Sequence, residues 1–189
     1  DVGEALHSGD FGFSDETGAG MNRALKAGLD KEIGFARAVG EWILQHQHPY
    51  QQYSLLATCI ERGLPVTAHV AMGTDIIHQH PGCSGEALGK TSYQDFKKFA
   101  EHLSGLEGGI AMNLGSAVLM PEVFLKLVSI ARNLRHPLER VVAANLDMQR
   151  HYRTDANVIG RPVVEREIRL RTAAGTEILP GLSSLPSRS

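Results

Sequence analysis

The chain has 189 residues, enough for one sizeable domain with a real hydrophobic core. Its net charge is −2, 21% of residues are charged and no run of like charges stands out, so nothing electrostatic points to nucleic acid. No apolar run approaches membrane-span length and no signal-peptide pattern opens the chain. Cys59 and Cys83 read as free thiols, so a cytoplasmic protein is expected.

The chain starts at Asp1 without Met, and its first residues read as the interior of a domain, so an N-terminal portion is expected to precede it. Residues 1–20 mix glycine and serine with acids and read as a loop. From Met21, apolar residues recur every three to four positions (Leu25, Leu29, Ile33, Ala36, Val39, Ile43), the helical period. Gly28 and Asp30 suggest a break, with Asp30 capping a second helix that runs to about Gln47 and is stopped by Pro49. Tyr53 to Arg62 reads as a short helix closed by Gly63. Leu64 to Met72 is a mostly apolar run with Pro65 at its entry, the pattern of a parallel strand covered on both faces.

A polar loop is expected from Gly73 to Ser92, with Ser92 capping a helix that carries Phe96, Phe99, Ala100 and Leu103. Ile110 to Leu114 reads as a second strand, Pro121 to Asn133 as a helix with proline in its first turn, and Val141 to Asn145 as a third strand. Strand and helix in alternation predict an α/β fold, a doubly wound parallel sheet of Rossmann-like type, in one domain spanning 1–189. Residues 161–189 read as an edge strand or arm with a frayed end.

In open parallel sheets, ligands bind beyond the carboxyl ends of the strands. The three loops there are Gly73-Thr74-Asp75, Asn113-Leu114-Gly115-Ser116-Ala117 and Asn145-Leu146-Asp147. Glycine permits close backbone approach and amides can point at a phosphate, so the three together suggest a nucleotide-type crevice. Strand–helix turns use Gly, Asn and Asp for their own reasons, and a full GxGxxG is absent. His69, Asp75, His78 and His80 are the densest cluster of metal-ligand types. They could hold zinc for hydrolysis, or one histidine could relay protons or bind substrate. The stretch His151-Tyr152-Arg153, with Asn157 and Arg161, could grip an anion.

Ser54 to Asp75 resembles the deoxyhypusine synthase family, which has a matching helix, an Ile-Pro-Val strand and a polar loop. Gly108 to Pro121 is similar to that family's strand and Leu-Gly-Gly-Gly-Val loop, and Asn145 and Asp147 fall where the family has its next cofactor loop. Over residues 50–160 the likeness is one of order and pattern. The wording of Gly73 to His78 and of Asn113 to Lys126 is most similar to bacterial members of the superfamily. The resemblance implies a Rossmann-like domain binding NAD as cofactor, a homo-oligomer with sites near subunit interfaces, and chemistry on an amine. Gly73, Thr74, Asn113, Gly115, Ser116, Ala117, Asn145 and Asp147 would line NAD. His78 or His80 would serve as acid–base group, and Asp75 would orient it or hold a substrate amine.

The sequence departs from the family in two places. No lysine occurs from Asp147 to Ser189, where the family places the lysine that carries an aminobutyl group as an imine. Glu122 and Val123 stand in the neighbourhood of its tandem histidines. The expected function is an NAD-binding oxidoreductase or transferase acting on a small polar or amine substrate other than that of deoxyhypusine synthesis. The alternatives are a metal-dependent hydrolase built on His69, Asp75, His78 and His80, and a non-catalytic assembly subunit.

Overall fold

The computed structural model describes residues 2–11 and 15–163. The chain is mixed α/β and divides into two compact units, residues 1–98 and 99–189, where the sequence suggested a single domain. Among the described residues, no helix is long and apolar enough to cross a membrane.

The first unit is helical: α1 (Val2–Ser8), α2 (Asp15–Asp30), α3 (Phe35–Gln45), α4 (Leu55–Glu61) and most of α5 (Gly85–Ser104). Residues 2–8 and 15–20 are thus helical and not the expected loop. The buried face of α2 is built from Gly18, Asn22, Ala24, Leu25 and Gly28, so upstream of Met21 it carries no large apolar residue to mark the period. Gly28 is no breaker either. A Cβ there would lie 2.7 Å from the Ala38 Cβ, so glycine lets α2 and α3 approach closely. Gly40 does the same for α3 against α4, where a Cβ would stand 2.7 Å from Ile60 Cγ1. Leu25, Phe35, Val39, Ile77 and Leu88 form the core between these helices.

The start of α3 depends on a residue far away in sequence. Gly34, and not Asp30, sits at its N-cap, and Gly34 offers no side-chain cap. The free amide of Ala36 donates instead to Oδ2 of Asp95 on α5, at 2.8 Å, and the same oxygen accepts from the Ala68 amide at 2.8 Å. Asp95 is buried, and burial pushes its carboxyl above the usual range while the two amides pull it down. Gly34 is obligatory here, since a Cβ would stand 1.8 Å from Asp95 Oδ1.

Helix α5 begins at Gly85, well before the expected Ser92. Ser84 is the capping residue, its Oγ accepting from the Ala87 amide at 3.2 Å. Residues 64–72, expected as the first strand, form no strand: 64–71 adopt no regular structure, Met72 opens a turn, and none pairs with a strand among the described residues. The Ala68 amide is spent on Asp95, so this part of the backbone meets its hydrogen-bonding needs from a side chain instead of a ladder.

The second unit holds β1 (Ile110–Leu114), α6 (Leu119–Asn133), β2 (Val142–Leu146) and a helical turn α7 (Tyr152–Thr154) that runs into a π-helical stretch, Asp155–Gly160. The strands are parallel, in register Ile110 to Val142 through Leu114 to Leu146. Two strands are what the described residues contain, so the doubly wound sheet is not seen among them. Leu127, Val128 and Ala131 of α6, with Ala143, Val158 and Ile159, are buried. At the entry to the strands, Glu107 accepts from the Glu139 amide at 2.7 Å and from Arg140 Nε at 2.8 Å. The bond from Arg140 is the main cause that holds its carboxyl below the usual range. From Val164 onward, the expected edge strand or arm lies outside the described residues.

Replacing Asp95 by alanine strands two amides and is expected to cost about 3 kcal/mol in denaturant unfolding, with Asp95→Asn costing less because one acceptor oxygen survives. Gly34→Ala should be comparably damaging. Because burial favours the protonated Asp95 carboxyl in the fold, its contribution is full below the unfolded value of about 3.9 and is lost as pH rises through the folded value. Asp95→Asn should therefore lessen the fall in stability on going from acid toward neutral pH.

Candidate functional site

In the first unit, the Gly73–His80 loop carries the Asp75, His78 and His80 of the sequence reading. A 3-10 turn, Ile76–His78, is capped at its N-terminal end by a reciprocal pair of side chains, Asp75 and His78. Asp75 Oδ1 accepts from the Ile77 amide at 3.0 Å, and His78 Nδ1 accepts from the amides of Gly73 at 3.0 Å and Asp75 at 3.3 Å. Two amide donors on Nδ1 leave the ring hydrogen on Nε2, which is buried with no hydrogen-bond partner. His80 repeats the arrangement: Nδ1 accepts from the Gly82 amide at 2.9 Å, and Nε2 faces Asp15 Oδ1 at 3.1 Å. The His80 ring packs onto α2 at Gly18, where a Cβ would meet its Cδ2 at 2.7 Å. Asn22 Nδ2 ties α2 to the turn through the Ile77 carbonyl at 3.0 Å.

His69 is half-buried, its Nε2 lies 3.1 Å from Thr67 Oγ1, and burial lowers its pKa. Among the described residues, no three His, Cys, Asp or Glu side chains come together in a way that could hold a metal ion. The hydrolase alternative therefore lacks the convergence a metal requires. Both His78 and His80 present N–H groups, which suits donation more than proton abstraction.

In the second unit, the other two predicted loops meet at the carboxyl ends of β1 and β2. Asn113 and Asn145 stand directly opposite in register, and Asn113 Nδ2 donates to Asn145 Oδ1 at 2.6 Å and to the Ser116 carbonyl at 2.9 Å. Gly115 adopts φ +67°, a conformation glycine takes without strain, and its amide donates to the Leu146 carbonyl at 2.8 Å. Ser116 Oγ accepts from the Met120 amide at 3.2 Å at the start of α6. Of the eight residues expected to line a cofactor, Asn113, Gly115, Ser116, Ala117, Asn145 and Asp147 lie at these strand ends, whereas Gly73 and Thr74 belong to the first unit.

Asp147 follows the last residue of β2. Its Oδ1 accepts from the Gln149 amide at 3.1 Å, while Oδ2 is buried and accepts no hydrogen bond. His151 Nε2 stands 4.0 Å from that oxygen, outside hydrogen-bond reach. His151 was grouped in the sequence reading with arginines able to grip an anion, but those guanidinium groups are engaged. Arg153 lies 3.5 Å from Glu122, and Arg161 donates to Asn157 and Tyr152. Glu122, expected near the positive end of the α6 dipole, lies in the first turn of α6; its Oε1 accepts from Asn157 at 2.8 Å and its carboxyl is held below the usual range chiefly by Lys126. The Glu122/Lys126 spacing of four on one helix was the available signal for that pair. Beside β1, a largely apolar cavity of about 300 Å³ is lined by Phe99, Leu103, Met112, Met120 and Phe124, and Asn113 borders it.

Asn113→Ala removes both amide bonds and leaves the Asn145 oxygen buried without its donor. It should lower unfolding free energy by about 2 kcal/mol, and adding Asn145→Ala should cost less than the sum of the single changes. No protein-family model, curated protein or solved structure matches the chain, so the likeness to the deoxyhypusine synthases rests on the sequence motifs alone.

Proposed function

We propose that the chain binds NAD beyond the carboxyl ends of β1 and β2, as an enzyme acting on a small polar or amine substrate. The observation that carries the reading is Asp147 Oδ2, a buried acceptor without a donor at the end of the second strand of a parallel β–α–β unit. In dinucleotide-binding folds an acid in that place accepts a ribose hydroxyl, and the turn after the first strand receives the pyrophosphate. Here that turn is Gly115-Ser116-Ala117, leading into α6, where backbone amides and the positive end of the helix dipole favour an anion. The cavity beside Asn113 offers an apolar volume for a flat ring.

The family resemblance supports NAD over other nucleotides and implies a homo-oligomer. Without a lysine from Asp147 to Ser189, the imine-forming step of the deoxyhypusine synthases has no counterpart in that segment, so the proposed reaction is a different one. No proton transfer is assigned to Asp75, His78 or His80: Asp75 and the Nδ1 atoms of both rings take amides of their own loop, and His80 Nε2 faces Asp15.

Thermal unfolding with NAD tests the reading. At about tenfold its Kd, NAD should add about 1.4 kcal/mol, raising Tm by about 3–6 °C for a chain of this length. Asp147→Ala should abolish most of the rise. An unchanged Tm at millimolar NAD would overturn the reading.

A further inference from the structure

Strand β1 pairs with β2 along one side, and among the described residues no strand pairs with its other side. The Val142 amide donates to the Gly109 carbonyl at 3.0 Å, and the Gly115 amide donates to the Leu146 carbonyl at 2.8 Å. In a parallel ladder of that phase, Ala111 and Asn113 turn their N–H and C=O groups toward β2, while Ile110, Met112 and Leu114 turn theirs away. The same three residues carry the exposed side chains of the strand, at 64%, 65% and 66%. Edge strands are commonly blunted by lysine, proline or a bulge. None of these protects β1, since Ile110 to Leu114 is uncharged and its register with β2 is continuous.

A strand that covers this edge has to meet the outward N–H and C=O of each of these residues and set no charge against an apolar row. A second copy of β1 does both. Turned antiparallel about a two-fold axis at Met112, it places Met112 opposite Met112 of the second copy and Ile110 opposite its Leu114. Every outward N–H then meets an outward C=O. A shift of one residue would set these groups against residues whose own groups face β2, and a shift of two would shorten the ladder. Near a two-fold axis each residue meets its own kind, so a charged residue there would repel itself. The uncharged stretch Ile110 to Leu114 escapes that penalty.

We propose that the free edge of β1 is an interface for a second copy of this chain, two copies joining antiparallel at Met112 into one four-stranded sheet. The interface is independent of the cofactor reading and uses a surface that reading leaves unassigned. The contact is small against the roughly 1,200–2,000 Å² of a stable complex, so the dimer should form in the micromolar range and exchange with monomer.

Sedimentation velocity of the full chain from about 1 to about 200 µM tests it, and the mass should rise about twofold across that range. Met112→Lys sets two like charges on the axis and should weaken association about tenfold or more. Its unfolding curve should match the parent, because Met112 is exposed. Disulfide capture reads the register in a background of Cys59→Ser and Cys83→Ser. Met112→Cys should cross-link to its copy, the paired Cα atoms lying about 5.5 Å apart, within disulfide range. Ile110→Cys should not, since its counterpart is displaced along the strand by about 13 Å. A chain that stays monomeric throughout, association untouched by Met112→Lys, or Ile110→Cys cross-linking as readily as Met112→Cys would each overturn the interface.

Discussion

A parallel sheet of two strands has little to hold its register, and in this chain the Asn113–Asn145 pair supplies it. The two side chains face each other, Asn113 buried and Asn145 half-buried, joined at 2.6 Å. A slip of one residue would turn every side chain to the other face of the sheet and leave both amides without partners. Each unsatisfied polar group would cost about 1–3 kcal/mol, a large share of the stability of any domain. The groups at the strand ends follow from that register: the Ser116 carbonyl is held by Asn113, the Gly115 amide by Leu146, and Asp147 begins where β2 stops.

The first unit uses a buried polar group for a different purpose. Asp95 Oδ2 accepts from two amides that have no partner in secondary structure, one at the start of α3 and one in the irregular run 64–71. Asp147 offers a contrast within the same chain. Both are carboxylates removed from water, but Asp95 has its donors from the protein and Asp147 Oδ2 has none. A buried acceptor satisfied by backbone is architecture, whereas Asp147 Oδ2, with no donor from the protein, is the observation on which the proposed nucleotide site rests. His78 shows both cases in one ring: Nδ1 takes the Gly73 and Asp75 amides, while Nε2 is buried without a partner.

Much of the second unit was legible in the sequence. The strands at 110–114 and 142–146 and the helix between them carry apolar runs and turn residues of the expected kinds, and the strand ends differ from expectation by a residue at most. The loops Asn113–Ala117 and Asn145–Asp147 were legible because a strand's end dictates where a ligand can approach. The first unit was less so. Upstream of Met21, helix α2 buries Gly18, which leaves no apolar period to read there. Helix α5 is capped by Ser84, while an equally plausible Ser92 lies within it. Leu64 to Met72 has the composition of a strand, but composition cannot say whether a ladder partner is at hand.

The sequence by itself determined the mixed α/β character, two of the three expected strands and the loops at their ends, because hydrophobic periodicity and turn chemistry are local properties. Only the tertiary structure decided that Asp95 caps α3 from 59 positions away in the chain, that Asn113 meets Asn145, and that Asp147 Oδ2 is left without a donor opposite His151. Those are matters of which polar atoms meet when distant segments pack. Satisfaction of a buried hydrogen-bonding group depends on neighbours brought by the fold, and no single stretch of sequence carries them.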